Sequence, residues 1–168
     1  MRRGQTIPGS RPLLRPGGPA DFEFIRRLSV SVFSHLGDYD RIIPAWLDHD
    51  GVISFILEDE GAPAGFFMLG YYKIPYANAY AADLLAIAVA PEAQGRGFGK
   101  LLLAEAVATA RSARRRLPVR ELRLTVAEPN ARARNLFRAT GFADVAGDHG
   151  HYDGGQRALL MRFTLDDD

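Results

Sequence analysis

Residues 88–102, Ala-Val-Ala-Pro-Glu-Ala-Gln-Gly-Arg-Gly-Phe-Gly-Lys-Leu-Leu, constrain this chain more than any other stretch. An apolar strand-like run reaches Val89 and Ala90, and glycines follow at alternate positions 95, 97 and 99. From Leu101 to Arg114 there is then no Gly or Pro and an ample supply of helix formers. Glycines at the point where a helix begins remove side chains there, so another molecule can approach the free amides of its first turn. Those amides, with the positive end of the helix dipole, favour a phosphate or pyrophosphate. Arg96 and Lys100 add cations close to the same anion. Read without a ligand, the same glycines would only allow tight packing of strand against helix.

Two familiar phosphate motifs fail on spacing. A P-loop needs four residues between its glycines, then Lys and Ser or Thr. Gly95 and Gly99 have three between them, and Leu101 follows Lys100. The dinucleotide fingerprint G-x-G-x-x-G needs glycine at position 100 or 102, where Lys100 and Leu102 stand.

Around this segment the chain has the size and composition of one α/β domain. Its 168 residues fit a single domain. With 47% hydrophobic and 24% charged residues it can bury a sizeable core. There is no Cys, which excludes disulfides, thiolate metal sites and cysteine nucleophiles. No apolar run approaches the length of a membrane-spanning helix, and the N-terminus lacks the apolar core of a signal peptide, so a cytoplasmic location is expected. The first ten residues read as a flexible lead-in and residues 11–168 as the domain.

Periodicity predicts a short strand at Arg11–Arg15, closed by Pro16, Gly17, Gly18 and Pro19. A helix follows from an Asp21 N-cap through Phe33. A second helical stretch spans Tyr39–His49, interrupted by Pro44. Val52–Glu58 and Ala64–Leu69 read as a hairpin about the turn at Asp59–Ala62. Residues 80–90 are so nearly continuous in apolar character that they suit a strand covered on both faces. Leu122–Val126 is a further strand, Asn130–Ala139 a short capped helix before Gly141, and Arg157–Leu165 a closing strand. The sum is a mixed central sheet flanked by helices.

The turn Gln94-Gly95-Arg96-Gly97-Phe98-Gly99 resembles motif A, Q/R-x-x-G-x-G/A, of the GCN5-related N-acetyltransferases. Downstream, Asn130-Ala131-Arg132-Ala133-Arg134-Asn135-Leu136-Phe137-Arg138-Ala139-Thr140-Gly141-Phe142 is similar to that family's N-x-x-A-x-x-L-Y-x-x-x-G-F, and Ala158–Met161 to its closing strand. The resemblance covers about residues 80–165 and implies the single-domain acyl-CoA N-acyltransferase fold. It further implies acetyl-CoA as cosubstrate, with pantetheine and pyrophosphate held by the strand Ile87, Ala88 and Val89 and by Gln94, Gly95, Arg96, Gly97, Phe98, Gly99 and Lys100. Asn130 and Phe137 complete the implied set; Asn130 can equally serve as a plain N-cap.

Transfer to an amine needs a base, because an amine of pKa near 10 is mostly protonated at neutral pH. Asp83 is the only acid inside the apolar strand, and burial raises a carboxyl pKa towards useful basicity. Its place also matches the strand carboxylate that acts as base in histone-type relatives. Equally, Asp83 could cap the strand entrance. Glu128, before the Asn130 helix, is a second candidate base that reads equally as a dipole partner. By the resemblance a backbone amide around Ile87–Val89 faces the developing oxyanion. Phe137 departs from the family pattern, since many relatives carry there a Tyr that protonates the leaving thiolate. A phenyl ring has no proton to give. Tyr152 or Tyr80 could serve instead, the thiolate could leave unprotonated, or the protein could be a catalytically silent acyl-CoA-binding module. His149 and His151 lie in the Gly-rich loop 147–155, whose spacing fixes no metal geometry, and no metal is expected.

Between Arg111 and Arg138 there are nine Arg against Glu121 and Glu128. This excess suggests a nearby anion, or a solvated face. The net charge of +1 argues against a surface that generally coats nucleic acid, and no membrane partner is expected from so short an apolar run. The expected partner is an amine acceptor whose identity the sequence does not name. It would bind among Phe33–Asp50, Tyr71–Asn78 and Ala146–Gln156, whose Tyr, Trp46 and His residues suggest a partly aromatic pocket. Asp38, Asp40, Asp48 and Asp50 could attract a cationic amine or simply be helix-end charges. A homodimer is consistent with the dimers common among relatives.

Overall fold

A computed structural model describes residues 11–165 of the chain; the lead-in expected over residues 1–10 lies outside them. Seven strands, Leu13–Pro16 (β1), Val52–Asp59 (β2), Ala62–Lys73 (β3), Tyr80–Val89 (β4), Val119–Ala127 (β5), Ala143–Val145 (β6) and Ala158–Thr164 (β7), form one sheet. Its order is β1-β2-β3-β4-β5-β7-β6. Every neighbouring pair is antiparallel except β4 and β5, which run parallel. A parallel pair needs a crossover. Here Phe98–Ala113 (α3) supplies it, packing on β3, β4 and β5. Phe22–Phe33 (α1) and Tyr39–Ala45 (α2) join β1 to β2, and Ala131–Thr140 (α4) follows β5.

Each element follows from its residues, with local adjustments. The helix predicted through His49 ends at Ala45 and continues as a 3-10 turn, Trp46–Asp48, just past Pro44, whose ring clashes with an ordinary helical turn. Both arms of the β2–β3 hairpin run longer than predicted, and the three-residue β6 carries too little pattern to be read from sequence. Asp21 precedes α1 as expected, yet its carboxylate makes no cap bond. Instead it accepts two hydrogen bonds from Arg15 of β1, at 2.8 and 2.9 Å, and one from Gly18 N–H. Arg15 holds this buried carboxyl below the usual carboxylate range. The start of α1 is thereby tied to the sheet edge.

The core lies between sheet and helices. Ile56, Phe66, Phe67, Leu69, Leu102, Leu103, Leu122 and Met161 are fully buried there, and each such apolar side chain contributes about 1.5–3 kcal/mol. In β4 burial alternates: Leu84, Ala86 and Ala88 are buried, whereas Asp83, Leu85, Ile87 and Val89 remain partly open. The expectation of a strand covered on both faces is corrected on this point. One face of β4 is core, and the other is the wall of a cleft.

Candidate active site

The cleft arises from an incomplete sheet. β4 and β5 pair from Tyr80↔Val119 to Asp83↔Arg123, and there the pairing stops. Both strands continue, β4 along β3 to Val89 and β5 along β7 to Ala127. Just past the last pair, the β3–β4 register passes from Leu69↔Leu84 to Met68↔Ala86, which leaves Leu85 as a bulge residue. Bulges bend a strand and sharpen its twist. The two strands diverge around a cavity of about 400 Å³, walled by Leu84–Ile87 of β4 and Leu124–Ala127 of β5.

A second groove of about 540 Å³ runs from the glycine turn along the end of β4. Gly97 is the N-cap of α3 in the left-handed region, with φ of +83°, and Gly95 has φ of +80°. A Cβ built on either would meet nothing within 4 Å, so the mouth of the helix stands open. Helical bonding begins with Leu101 N–H donating to Gly97 O at 3.2 Å. The amides of Phe98, Gly99 and Lys100 before it are the unpaired donors of a first turn. Ile87, Ala88, Val89, Gln94, Gly95, Gly97, Phe98, Gly99, Lys100, Asn130 and Phe137 all line this groove, as the sequence suggested.

Arg96 does not. It reaches back to Asp59 of the β2–β3 turn, with Nη1 2.5 Å from Oδ2, and lies over the Phe98 ring at 4.7 Å. Arg132 takes the place beside the glycines that Arg96 was expected to fill. Its Nη1 donates to Gln94 Oε1 at 3.1 Å, while Gln94 Nε2 donates to Val89 O at 3.1 Å. Gln94 thus fastens strand end, glycine turn and α4 together. In the sequence Arg132 was visible only as one Arg of the basic excess. The open mouth, the first-turn amides and the cations Lys100 and Arg132 suit a diphosphate, and the groove beyond suits an extended chain.

Groove and cavity meet where Val32, Ile87, Asn130, Ala133 and Phe137 line both. Asn130 lines both spaces, and its Oδ1 accepts from Ala133 N–H at 3.2 Å as the cap of α4. Phe137 is only 4% exposed and packs against Phe142, with ring centres 5.9 Å apart. Asp83 lines the cavity as well. Its Oδ1 lies 3.5 Å from Tyr72 Oη and 3.6 Å from Arg123 Nε. Burial, and then the nearby Glu121 carboxylate, push its pKa up to about 6. Tyr152 enters from the loop before β7, meeting Tyr39 edge-on at 6.0 Å. Burial raises its hydroxyl to about 12, so it is protonated at neutral pH.

The other candidates lie elsewhere. Glu128 faces Arg157 at 3.6 Å on the surface, and Tyr80 pairs with Val119 at the far end of β4. His149 bonds the Val145 carbonyl at 2.9 Å, and His151 bridges to Arg157. Among the described residues no group of three or more His, Asp or Glu could hold a metal ion, and no helix is long and apolar enough to cross a membrane. Of the three segments expected around an acceptor, Phe33–Asp50 and Ala146–Gln156 contribute to the cavity and Tyr71–Asn78 does not. Asp38, Asp40, Asp48 and Asp50 are absent from its wall.

A protein-family model described as acetyltransferase (GNAT) family matches residues 22–142, well over half of the chain. Among solved structures the chain is similar to Arabidopsis thaliana NAA60 in complex with acetyl-CoA, with a TM-score of 0.76 and 16% identity over 92% of this chain and 99% of that one. It is also similar to the ribosomal-protein-S18-alanine N-acetyltransferase of Escherichia coli (TM-score 0.73, 19% identity, 94% and 96% covered). A third similar structure is the spermidine N-acetyltransferase of Vibrio cholerae in complex with CoA and spermine (0.71, 23%, 94% and 97%). At these identities the likeness is one of fold. No curated protein sequence matches the chain significantly.

Proposed function

Since the chain belongs to the acetyltransferase (GNAT) family, we propose that it transfers the acetyl group of acetyl-CoA to a primary amine by direct attack within a ternary complex. The observation that carries this reading is the junction of the two spaces: a groove that begins at an open helix mouth with Lys100 and Arg132 opens into a cavity lined by one half-buried carboxylate, Asp83. Residues 11–168 are read as one catalytic domain. When bound, acetyl-CoA supplies an acetyl thioester, whose carbonyl carbon gains the amine nitrogen as its bond to sulfur breaks.

The chain's own residues have four tasks. Amides of the α3 mouth, with Lys100 and Arg132, hold the diphosphate, and the end of β4 holds the pantetheine arm. Main-chain amides around Ile87–Val89 point donors at the carbonyl oxygen, a preorganised contact of the kind that lowers acyl-transfer barriers by a few kcal/mol. Asp83 takes the proton released by the acceptor nitrogen. Its Oδ2 has no hydrogen-bond partner among the described residues, since the Tyr72 and Arg123 contacts fall on Oδ1. Tyr152, protonated and on the cavity wall, gives a proton to the departing sulfur in place of the hydroxyl that Phe137 lacks.

Two measurements test this. Acetyl-CoA at about 100 times its Kd should stabilise the fold by about 2.7 kcal/mol, seen as a rise in the thermal midpoint. No rise at millimolar acetyl-CoA would overturn the reading, and thiol release with an amine panel would rule out a silent binding module. Tyr152→Phe should lower kcat by about tenfold, less than the usual 10²- to 10⁴-fold of proton transfer because a thiol of pKa near 8.5 is already a fair leaving group. The KM for acetyl-CoA should stay put. An unchanged kcat would show that the sulfur leaves without Tyr152.

A further inference from the structure

The cavity has an end that the diphosphate groove does not share. Past the junction its wall is Phe33, Leu36, Tyr39, Ile43 and Trp46 on one side and Leu85 on the other, with Tyr152 above. The charged pair Asp83 and Arg123 forms its floor. Arg123 Nε stands 3.6 Å from Asp83 Oδ1 and 3.6 Å from Glu121 Oε1, and the guanidinium is held 5.2 Å over the Tyr72 ring. Two carboxylates therefore share one guanidinium, and of the two Asp83 alone lines the cavity. Beyond that floor the only other titratable cation on the wall is His35.

From this juxtaposition we infer that the acceptor is a small monoamine: one basic nitrogen, seated at Asp83, on an uncharged aliphatic or aromatic body enclosed by Phe33, Tyr39, Trp46 and Tyr152. The inference rests on the acetyl-transfer reading above and names its substrate class. A polyamine would place its further ammonium groups against these rings, where no carboxylate other than Asp83 lines the cavity, and an unpaired charge out of water is strongly disfavoured. An amino acid would bring its carboxylate to a floor whose one guanidinium, Arg123, is already shared by two acids. A peptide needs a way out beyond its amine, and that side is shut. Gly154 N–H donates to Leu36 O and Gln156 Nε2 to His35 O, both at 3.1 Å, fastening the loop before β7 onto residues 35–36. The approach is so close that a Cβ on Gly154 would lie 2.1 Å from His35 O.

Trp46 is the chain's only tryptophan, so its emission reports directly on the cavity. The full-length protein would be titrated with isoamylamine, 2-phenylethylamine, spermidine and an alanine tetrapeptide with a free amino end, first for Trp46 emission and then, with acetyl-CoA, for thiol release. A saturable emission change is expected with at least one of the two monoamines. The kcat/KM of that amine should exceed those of spermidine and the peptide by about tenfold or more, the scale on which pocket contacts discriminate. Preference for spermidine or the peptide would overturn the inference, as would emission indifferent to both monoamines. Should acetyl-CoA raise the thermal midpoint while spermidine or the peptide is the better acceptor, the monoamine assignment alone fails. If acetyl-CoA has no effect and no amine releases thiol, the acetyl-transfer reading fails with it.

Discussion

Gly97→Glu is expected to weaken acetyl-CoA binding by about two to three powers of ten, because like charges brought together cost several kcal/mol and each 1.4 kcal/mol is a factor of ten. The new carboxylate would stand where Gly97 now leaves open space, at the mouth of α3. The fold should survive. A side chain at φ of +83° costs about 1–2 kcal/mol, which in a chain of this size lowers the thermal midpoint by roughly 2–8 °C. Gly97→Ala carries the same backbone cost without the charge, so the difference between the two variants isolates the electrostatic part. Isothermal titration with acetyl-CoA and a melting curve for each variant check the expectation. Undiminished affinity in the Glu variant would remove the diphosphate from this turn.

Asp83→Asn should lower kcat by about 10²- to 10⁴-fold, the usual contribution of a positioned base. The pH dependence gives a signature that a purely structural role would not. With a carboxyl pKa of about 6, raised first by burial and then by Glu121, kcat at saturating amine should climb through pH 6 and level off above it. In the Asn variant that limb should vanish. Stability moves the opposite way. A carboxyl whose folded pKa lies above its ordinary 3.8 holds its proton more tightly in the folded state, so its contribution is complete at low pH and is lost as pH rises from about 4 to about 6. Over that window the wild type should lose stability relative to Asp83→Asn. Stabilisation by acetyl-CoA should persist in the variant. A kcat within about threefold of wild type, below the range for general base catalysis, would leave Asp83 a structural residue.

What could be read in advance was what short stretches dictate by themselves. The glycine turn, α3, and the Asn130-capped helix follow from backbone demands within a dozen residues, and they lie where the pattern put them. Features decided by distant partners were illegible. Arg96 is adjacent to the glycines in sequence, but Asp59, 37 positions earlier, captures it. Asp21 has the residue type of a cap and is instead claimed by Arg15. Four of the nine Arg between Arg111 and Arg138 likewise have partners that local sequence does not announce: Arg111 lies over Phe163, Arg123 sits between Asp83 and Glu121, Arg134 bonds Glu128 O, and Arg138 pairs with Asp144. The aromatic character of the cavity was readable, the clasp beside it was not, because Gly154 and Gln156 reach across the chain to residues 36 and 35.

The early end of the β4–β5 ladder has a consequence for how such a chain can change. A sheet usually spends its main-chain hydrogen-bonding capacity on itself, and here a few residues' worth is withheld beyond Asp83 and Arg123. Replacements that coaxed the two strands to zip onward would make a sturdier molecule with nowhere to seat a guest. The segments that carry Phe33, Tyr39 and Trp46 lie outside the strands and take no part in that ladder, although their rings also pack against the core. New appetites can evolve at the rim because the fault line beneath them is kept.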